Sequence, residues 1–101
     1  LDGCIAAHSL CDIFYILRKH FSEDARREML IQLTRILTVI GIDRDKLLFA
    51  LEHKDFSDME DCLQLACAAE FSAEYIVTRN LRDFENSTVP AVLPDMIIAQ
   101  L

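Results

Sequence analysis

Four aspartates and their neighbours define the chemistry this chain could perform. Asp58 and Asp61 fall at the start of an apolar helical pattern, and Asp83 follows the short apolar run Tyr75-Ile-Val-Thr78 by way of Arg79-Asn80-Leu81-Arg82. Asp12 follows a second such run, Gly3-Cys-Ile-Ala-Ala7. Singly, an acid in a first helical turn complements the positive end of the helix dipole, worth about 0.3–1 kcal/mol. Together they suggest more. Ligand sites in open parallel sheets lie beyond the carboxyl ends of the strands, where the next helices start. Carboxylates crowded there repel one another and raise each other's pKa unless a cation sits among them. Mg2+ or Mn2+, which prefer oxygen ligands, would supply that charge. Two such ions roughly 4 Å apart can activate a water and stabilise the leaving oxygen of a displacement at phosphorus.

The elements that must position these acids follow from pattern. Gly3–Ala7 is expected to be a buried strand. Ser9 is expected to cap the next helix, with Asp12 in the capping-box position. Leu10, Ile13, Phe14, Leu17 and Phe21 supply its inward stripe. Ser22 starts a second helix, expected to reach Ile40 and stop at Gly41, with Met29, Leu33, Ile36, Leu37 and Ile40 facing the core. A shorter helix covers Asp43 to Glu52. Ser57 is expected to cap a fourth, with Glu60 as its capping-box partner. On that helix Met59, Cys62, Leu63, Ala66 and Ala69 make the inner stripe, and Asp58, Asp61 and Leu65 share another face. Tyr75–Thr78 and Val89–Leu93 are further strands, and Pro94 opens a terminal helix. Strands separated by helices imply an α/β fold with a parallel sheet.

Composition narrows the class. The chain has 101 residues, of which 52% are hydrophobic, enough for one domain with a real core. Two glycines and two prolines favour long helices over a many-stranded sandwich. A net charge of −7 argues against a protein that coats nucleic acid nonspecifically, but leaves room for acids offset by metal. Cys4, Cys11, Cys62 and Cys67 form no Cys-x-x-Cys pair, so free thiols and a cytoplasmic setting are expected. Only Cys4, His8 and Cys11 approach zinc-ligand spacing. No apolar run is long enough for a membrane span. The chain opens on leucine, the expected mark of a fragment, a processed product or a domain cut from something longer.

Four segments, in order, resemble the PIN domain, a metal-dependent ribonuclease fold that includes VapC-type toxins. Ile5-Ala-Ala-His8-Ser-Leu-Cys-Asp12-Ile-Phe-Tyr-Ile-Leu-Arg18-Lys resembles the family's second strand and the helix bearing its second acid. Phe56 to Ala68 resembles the helix with the third acid, Ile76-Val-Thr78-Arg-Asn80-Leu-Arg-Asp83-Phe84 the Thr-Arg-Asp/Asn element, and Val92-Leu-Pro94 the closing strand and helix. The resemblance implies a three-layer α/β/α architecture over residues 1–101, with a sheet incomplete at its N-terminal side. It implies metal-site roles for Asp12, Asp61 and Asp83, with Asp58 as a further ligand candidate. Thr78, Asn80 and Ser9 would support the site, and Arg79 and Arg82 would contact nucleic acid. It further implies Mg2+ or Mn2+, a single-stranded RNA substrate, a homodimer and, for a toxin, an antitoxin partner.

The sequence also departs from that pattern. Position 12 holds aspartate where the family commonly has glutamate, and Asn80 stands where many relatives have aspartate. The family's first acid ends a strand that would precede residue 1, and Asp2 precedes a strand instead. Two other readings therefore stand beside the ribonuclease. One is a catalytically silent PIN-like module that binds RNA or a protein. The other is a plain α/β interaction domain whose acids only cap helices. The bases Arg18, Lys19, Arg26, Arg27 and Arg35 serve either RNA or solvated helix faces.

Overall fold

Cys4–Ala6 forms β1 and runs without a loop into α1, Ala7–Ile16. The computed structural model describes residues 2–56 and 58–100. They fall into two compact units, Leu1–Ile42 and Asp43–Leu101.

In the first unit, the direct passage from strand to helix corrects the expected cap. Ala6 is the N-cap and offers no side-chain oxygen, while Ser9 lies inside the helix and Asp12 is exposed beyond its first turn. Ser22 does cap α2 (Glu23–Ile36), its hydroxyl accepting from the Ala25 N–H at 3.1 Å. Glu23 and Asp24 follow in the first turn, where the helix dipole favours them. The helix ends four residues earlier than its apolar spacing suggested. Leu37 turns extended (φ −111°, ψ 146°), and Thr38–Ile40 forms β2, a strand absent from the sequence reading. Three consecutive β-branched residues favour that outcome, because their restricted χ1 suits a strand better than a helix. β2 pairs in parallel with β1, in the register Cys4↔Thr38, Ile5↔Val39, Ala6↔Ile40. Of the face expected to be core, Ile40 is buried, but Ile36 is 74% exposed.

α1 and α2 are tied by Arg26. Its guanidinium lies over the Phe14 ring at 4.3 Å and donates to the Phe14 carbonyl at 2.9 Å. Arg18 covers the Tyr15 ring at 3.7 Å in the same manner, and Arg27 pairs with Glu23. Three of the five bases considered for RNA therefore already have partners within this unit.

The second unit is built around a helical hairpin. Asp43 caps α3 (Arg44–Glu52) by accepting from the Lys46 N–H at 2.9 Å. α3 packs against α4 (Met59–Glu70). Lys46 joins them, with its ammonium 2.6 Å from Glu70 Oε1 and 3.5 Å from Asp43 Oδ2. The hydrogen bond to Glu70 raises the Lys46 pKa, with the charges of Asp43 and Glu70 adding to it against the cost of desolvation. Unlike a single-striped surface helix, α4 buries Cys62, Leu63, Leu65, Cys67 and Ala68. Met59 and Ala69, expected inside, are exposed; Leu65, grouped with the acids, is buried.

Beyond α4 come β3 (Ile76–Val77), a 3-10 turn at Leu81–Phe84, β4 (Ala91–Val92) and α5 (Pro94–Ile98). β3 and β4 pair in parallel, Ile76 with Ala91 and Val77 with Val92. Pro90 sits just before β4 and lends its carbonyl to the Ile76 N–H, while Pro94 is at the start of α5. The four cysteines are free, as their spacing suggested; Cys62 and Cys67 are buried, and Cys11 is exposed. Among the described residues no helix is long and apolar enough to cross a membrane.

α4 ends in a Schellman motif. The Ala73 N–H bonds to the Ala68 carbonyl at 2.9 Å and the Ser72 N–H to the Ala69 carbonyl at 3.1 Å. This places Ser72 at φ 56°, a left-handed conformation that costs a side-chain-bearing residue about 1 kcal/mol relative to glycine. Ser72→Gly is accordingly expected to raise stability by roughly 0.5–1 kcal/mol. Urea midpoints of the two proteins check this, and a lower midpoint for the variant refutes it.

Candidate acidic site at the start of helix α4

Asp58 is the N-cap of α4, its Oδ1 accepting from the Glu60 N–H at 2.7 Å. The cap expected at Ser57 lies outside the described residues. Glu60 and Asp61 occupy the first turn, with Asp61 half-buried. Its position follows from the sequence. Cys62 and Leu63, the next two residues, are fully buried, so the backbone draws Asp61 partly out of water.

The second contribution comes from the turn after β3. The Thr78 N–H bonds to the Val92 carbonyl, which completes the strand, and its hydroxyl then accepts from the Asn80 N–H at 3.1 Å. That bond bends the chain into the 3-10 turn, where the Asp83 N–H meets the Asn80 carbonyl at 3.2 Å. Two contacts fix this turn beside the segment entering α4. The Phe84 ring meets Phe56 edge-on, with centroids 6.5 Å apart, and the Asn86 side-chain amide donates to the Asp55 carbonyl at 2.9 Å. Both rings are buried, which makes them core rather than a base-stacking platform. A cleft lined by Asp55, Phe56, Arg82, Asp83, Glu85 and Asn86 opens there.

Asp83 is thereby within electrostatic reach of Asp61. The Asp61 carboxyl is pushed up to about 6, first by desolvation and then by the negative charges of Asp58, Asp83 and Glu60. Among the described residues, no ion pair neutralises these four acids. Arg79 and Arg82 are exposed on the turn. The structure thus places Asp58 and Asp83 within electrostatic reach of Asp61, with Thr78 and Asn80 shaping the turn. Asp12 and Ser9 belong to α1 of the other unit.

As a donor set, Asp61 and Asp83 fit a hard divalent ion in kind, since they are oxygen ligands carrying an excess of unneutralised charge. They fall short in number. Among the described residues no three His, Cys, Asp or Glu side chains converge in an arrangement that could hold a metal, and this applies equally to Cys4, His8 and Cys11. Both ring nitrogens of His8 are buried without a hydrogen-bond partner, an arrangement no spacing rule signals. Sequence reasoning also missed the Lys46–Glu70 bond, because its partners lie 24 residues apart.

A family profile described as the PIN domain matches residues 1–82. The chain belongs to the PIN domain family, an α/β fold of the nuclease type. The match includes Asp12, Asp58, Asp61, Thr78 and Asn80 and ends one residue before Asp83. Comparison with curated proteins and with solved structures finds no match.

The raised Asp61 pKa carries a signed consequence for stability. A group that holds its proton more tightly when folded stabilises the fold fully below its unfolded pKa, near 3.8, and loses that contribution as pH rises through about 6. At neutral pH the ionised carboxylate is therefore a liability. Asp61→Asn is expected to increase stability at pH 7.5, with the gain shrinking toward pH 4. Denaturant titrations at both pH values measure it, and a pH-independent difference contradicts the assigned origin.

Proposed function

We propose that the protein is a divalent-metal-dependent endoribonuclease that hydrolyses phosphodiester bonds in single-stranded RNA. The single observation that carries this reading is the uncompensated Asp61 carboxylate, pressed by Asp83 and Asp58 at the start of α4. PIN domains generally use divalent metal ions, which is the charge this site lacks. In the proposed site Asp61 and Asp83 hold Mg2+ or Mn2+. Asp58 offers its second oxygen, the first being spent on the helix cap. Asp12 is assigned a metal role by its place in the family pattern alone. Thr78 and Asn80 fix the turn and orient ligands or water, Ser9 is a supporting residue by its place in the family pattern alone, and Arg79 and Arg82 contact substrate phosphates. The bound ion would supply Lewis acidity, activating a water and stabilising the leaving oxygen. A toxin role in the cytoplasm, with a protein antitoxin as partner and a homodimeric state, belongs to the same proposal.

The test is cleavage of a fluorescent single-stranded RNA by the 101-residue chain with Mn2+, with Mg2+ and with chelator. Activity is expected only with metal, and Asp61→Asn or Asp83→Asn should lower it about 100-fold or more, as loss of a charge-stabilising catalytic group does. Equal activity of Asp61→Asn and the parent protein would falsify the assignment.

A second reading is favoured by a specific observation, the lack of three converging metal-ligand side chains among the described residues. It describes a silent PIN module that binds RNA or a protein without cleaving. Calorimetric titration with Mn2+ separates the two. Two tightly bound ions support the nuclease; no saturable binding, together with retained RNA affinity, supports the silent module.

A further inference from the structure

The second half of α1 leaves one side open to solvent. Asp12, Tyr15 and Ile16 stand three and four residues apart, so they share a helix face, and all three are exposed, Tyr15 by 62% and Ile16 by 64%. The 3-10 turn Leu17–Lys19 carries that face onward. Side chains three apart eclipse in such a turn, which sets Arg18 in line with Tyr15 and Lys19 in line with Ile16. The first alignment is fixed by contact. Arg18 donates to the Tyr15 carbonyl at 2.9 Å, and its guanidinium lies 3.7 Å from the centre of the Tyr15 ring.

The charge on this surface is positive and unspent. Residues 13–22 contain no acid, and among the described residues neither Arg18 nor Lys19 makes an ion pair. The partners of Arg18 are a ring and a neutral carbonyl, which leave its charge whole. Glu23, the first acid beyond, is paired with Arg27. The acids and bases of Leu1–Ile42 balance, so the negative excess that would repel a polyanion falls in Asp43–Leu101. A ring backed by a guanidinium, with an unpaired ammonium one step along, is what a single strand of nucleic acid asks of a surface: a stacking plane and a cation for the backbone.

We infer that the exposed face from Tyr15 to Lys19 is a binding site for single-stranded RNA, on a different unit from the acids of α4. One base stacks on the Tyr15–Arg18 pair, Ile16 packs beside it, and Lys19 meets a phosphate. Asp12 lies one turn back on the same face, where its carboxylate repels a phosphate unless a cation stands between them. At that point, and in the choice of RNA as the polyanion, the inference rests on the nuclease reading. A lipid surface suits this face less well, because Asp12 would have to approach anionic headgroups without such a cation.

The test measures binding in chelator, where cleavage cannot compete. Anisotropy of a fluorescein-labelled oligouridylate is titrated with the 101-residue chain and with Y15A, Y15F and K19A, circular dichroism confirming helix content. Y15A is expected to weaken binding about tenfold or more through loss of a base stack, while Y15F, which keeps the ring, stays within about twofold of the parent. K19A should flatten the slope of log affinity against log salt by about 0.7, the mark of one lost phosphate contact on a single strand. The inference is overturned if the parent does not bind the oligonucleotide, if Y15A binds it as the parent does, or if phosphatidylserine vesicles capture the chain through Tyr15 and Lys19 in its place. Metal-dependent cleavage with unchanged KM in Y15A would refute this surface and leave the nuclease standing. Binding lost in Y15A by a chain that never cleaves would do the reverse. Should Y15A fail to fold, the salt slope of K19A decides, since Lys19 is exposed.

Discussion

The burial of α4 governs most of what the second unit does. A helix that hides Cys62, Leu63, Leu65, Cys67 and Ala68 has little surface left for solvent. Its charged residues are accordingly confined to its ends. Glu70 at the last turn meets the Lys46 ammonium, and Asp61 in the first turn feels the negative charges of Asp58, Asp83 and Glu60. The two ends have opposite electrostatic character. One is a closed pairing of base with acid; the other is an open excess of negative charge. Among the described residues only the second is left without a base.

That asymmetry separates stability from function. Lys46, Asp43 and Glu70 fix α3 against α4 without any external ion, and Phe56 with Phe84 fixes the 3-10 turn. The scaffold is thus complete before the acids are considered. Asp61 is placed by its neighbours rather than by partners of its own, and it bears the electrostatic cost of that place. Sites built for binding commonly hold such locally unfavourable groups on a frame secured elsewhere.

Several of these elements were legible in the sequence, and the failures have physical causes. Ser22, Asp43 and Pro94 marked helix starts correctly because capping is a local interaction. Ser9 misled because β1 passes straight into α1, leaving no loop in which a cap could act. The spacing of Leu33, Ile36, Leu37 and Ile40 continues a helical period that the β-branched Thr38-Val39-Ile40 breaks. On α4 a single stripe was sought, but the helix is buried over a wider arc, so Leu65 was assigned to the wrong face. That Asp83 follows a short strand was legible from the apolar run Tyr75–Thr78 and the polar turn after it. The desolvation of Asp61 was not, because it depends on how deeply Cys62 and Leu63 are buried.

The capping bond of Asp58 has a bearing on any ion that enters this site. One oxygen of that carboxylate is committed to the Glu60 N–H, so a cation drawing on Asp58 must either accept the remaining oxygen or loosen the first turn of α4. Asp61 adds a second condition. Its proton and an incoming cation would be rivals for the same lone pairs, so a cation bound well below about pH 6 would have to displace that proton. Below about pH 6 a proton is therefore the competitor that any cation entering the start of α4 would meet, and at neutral pH that competitor is largely gone.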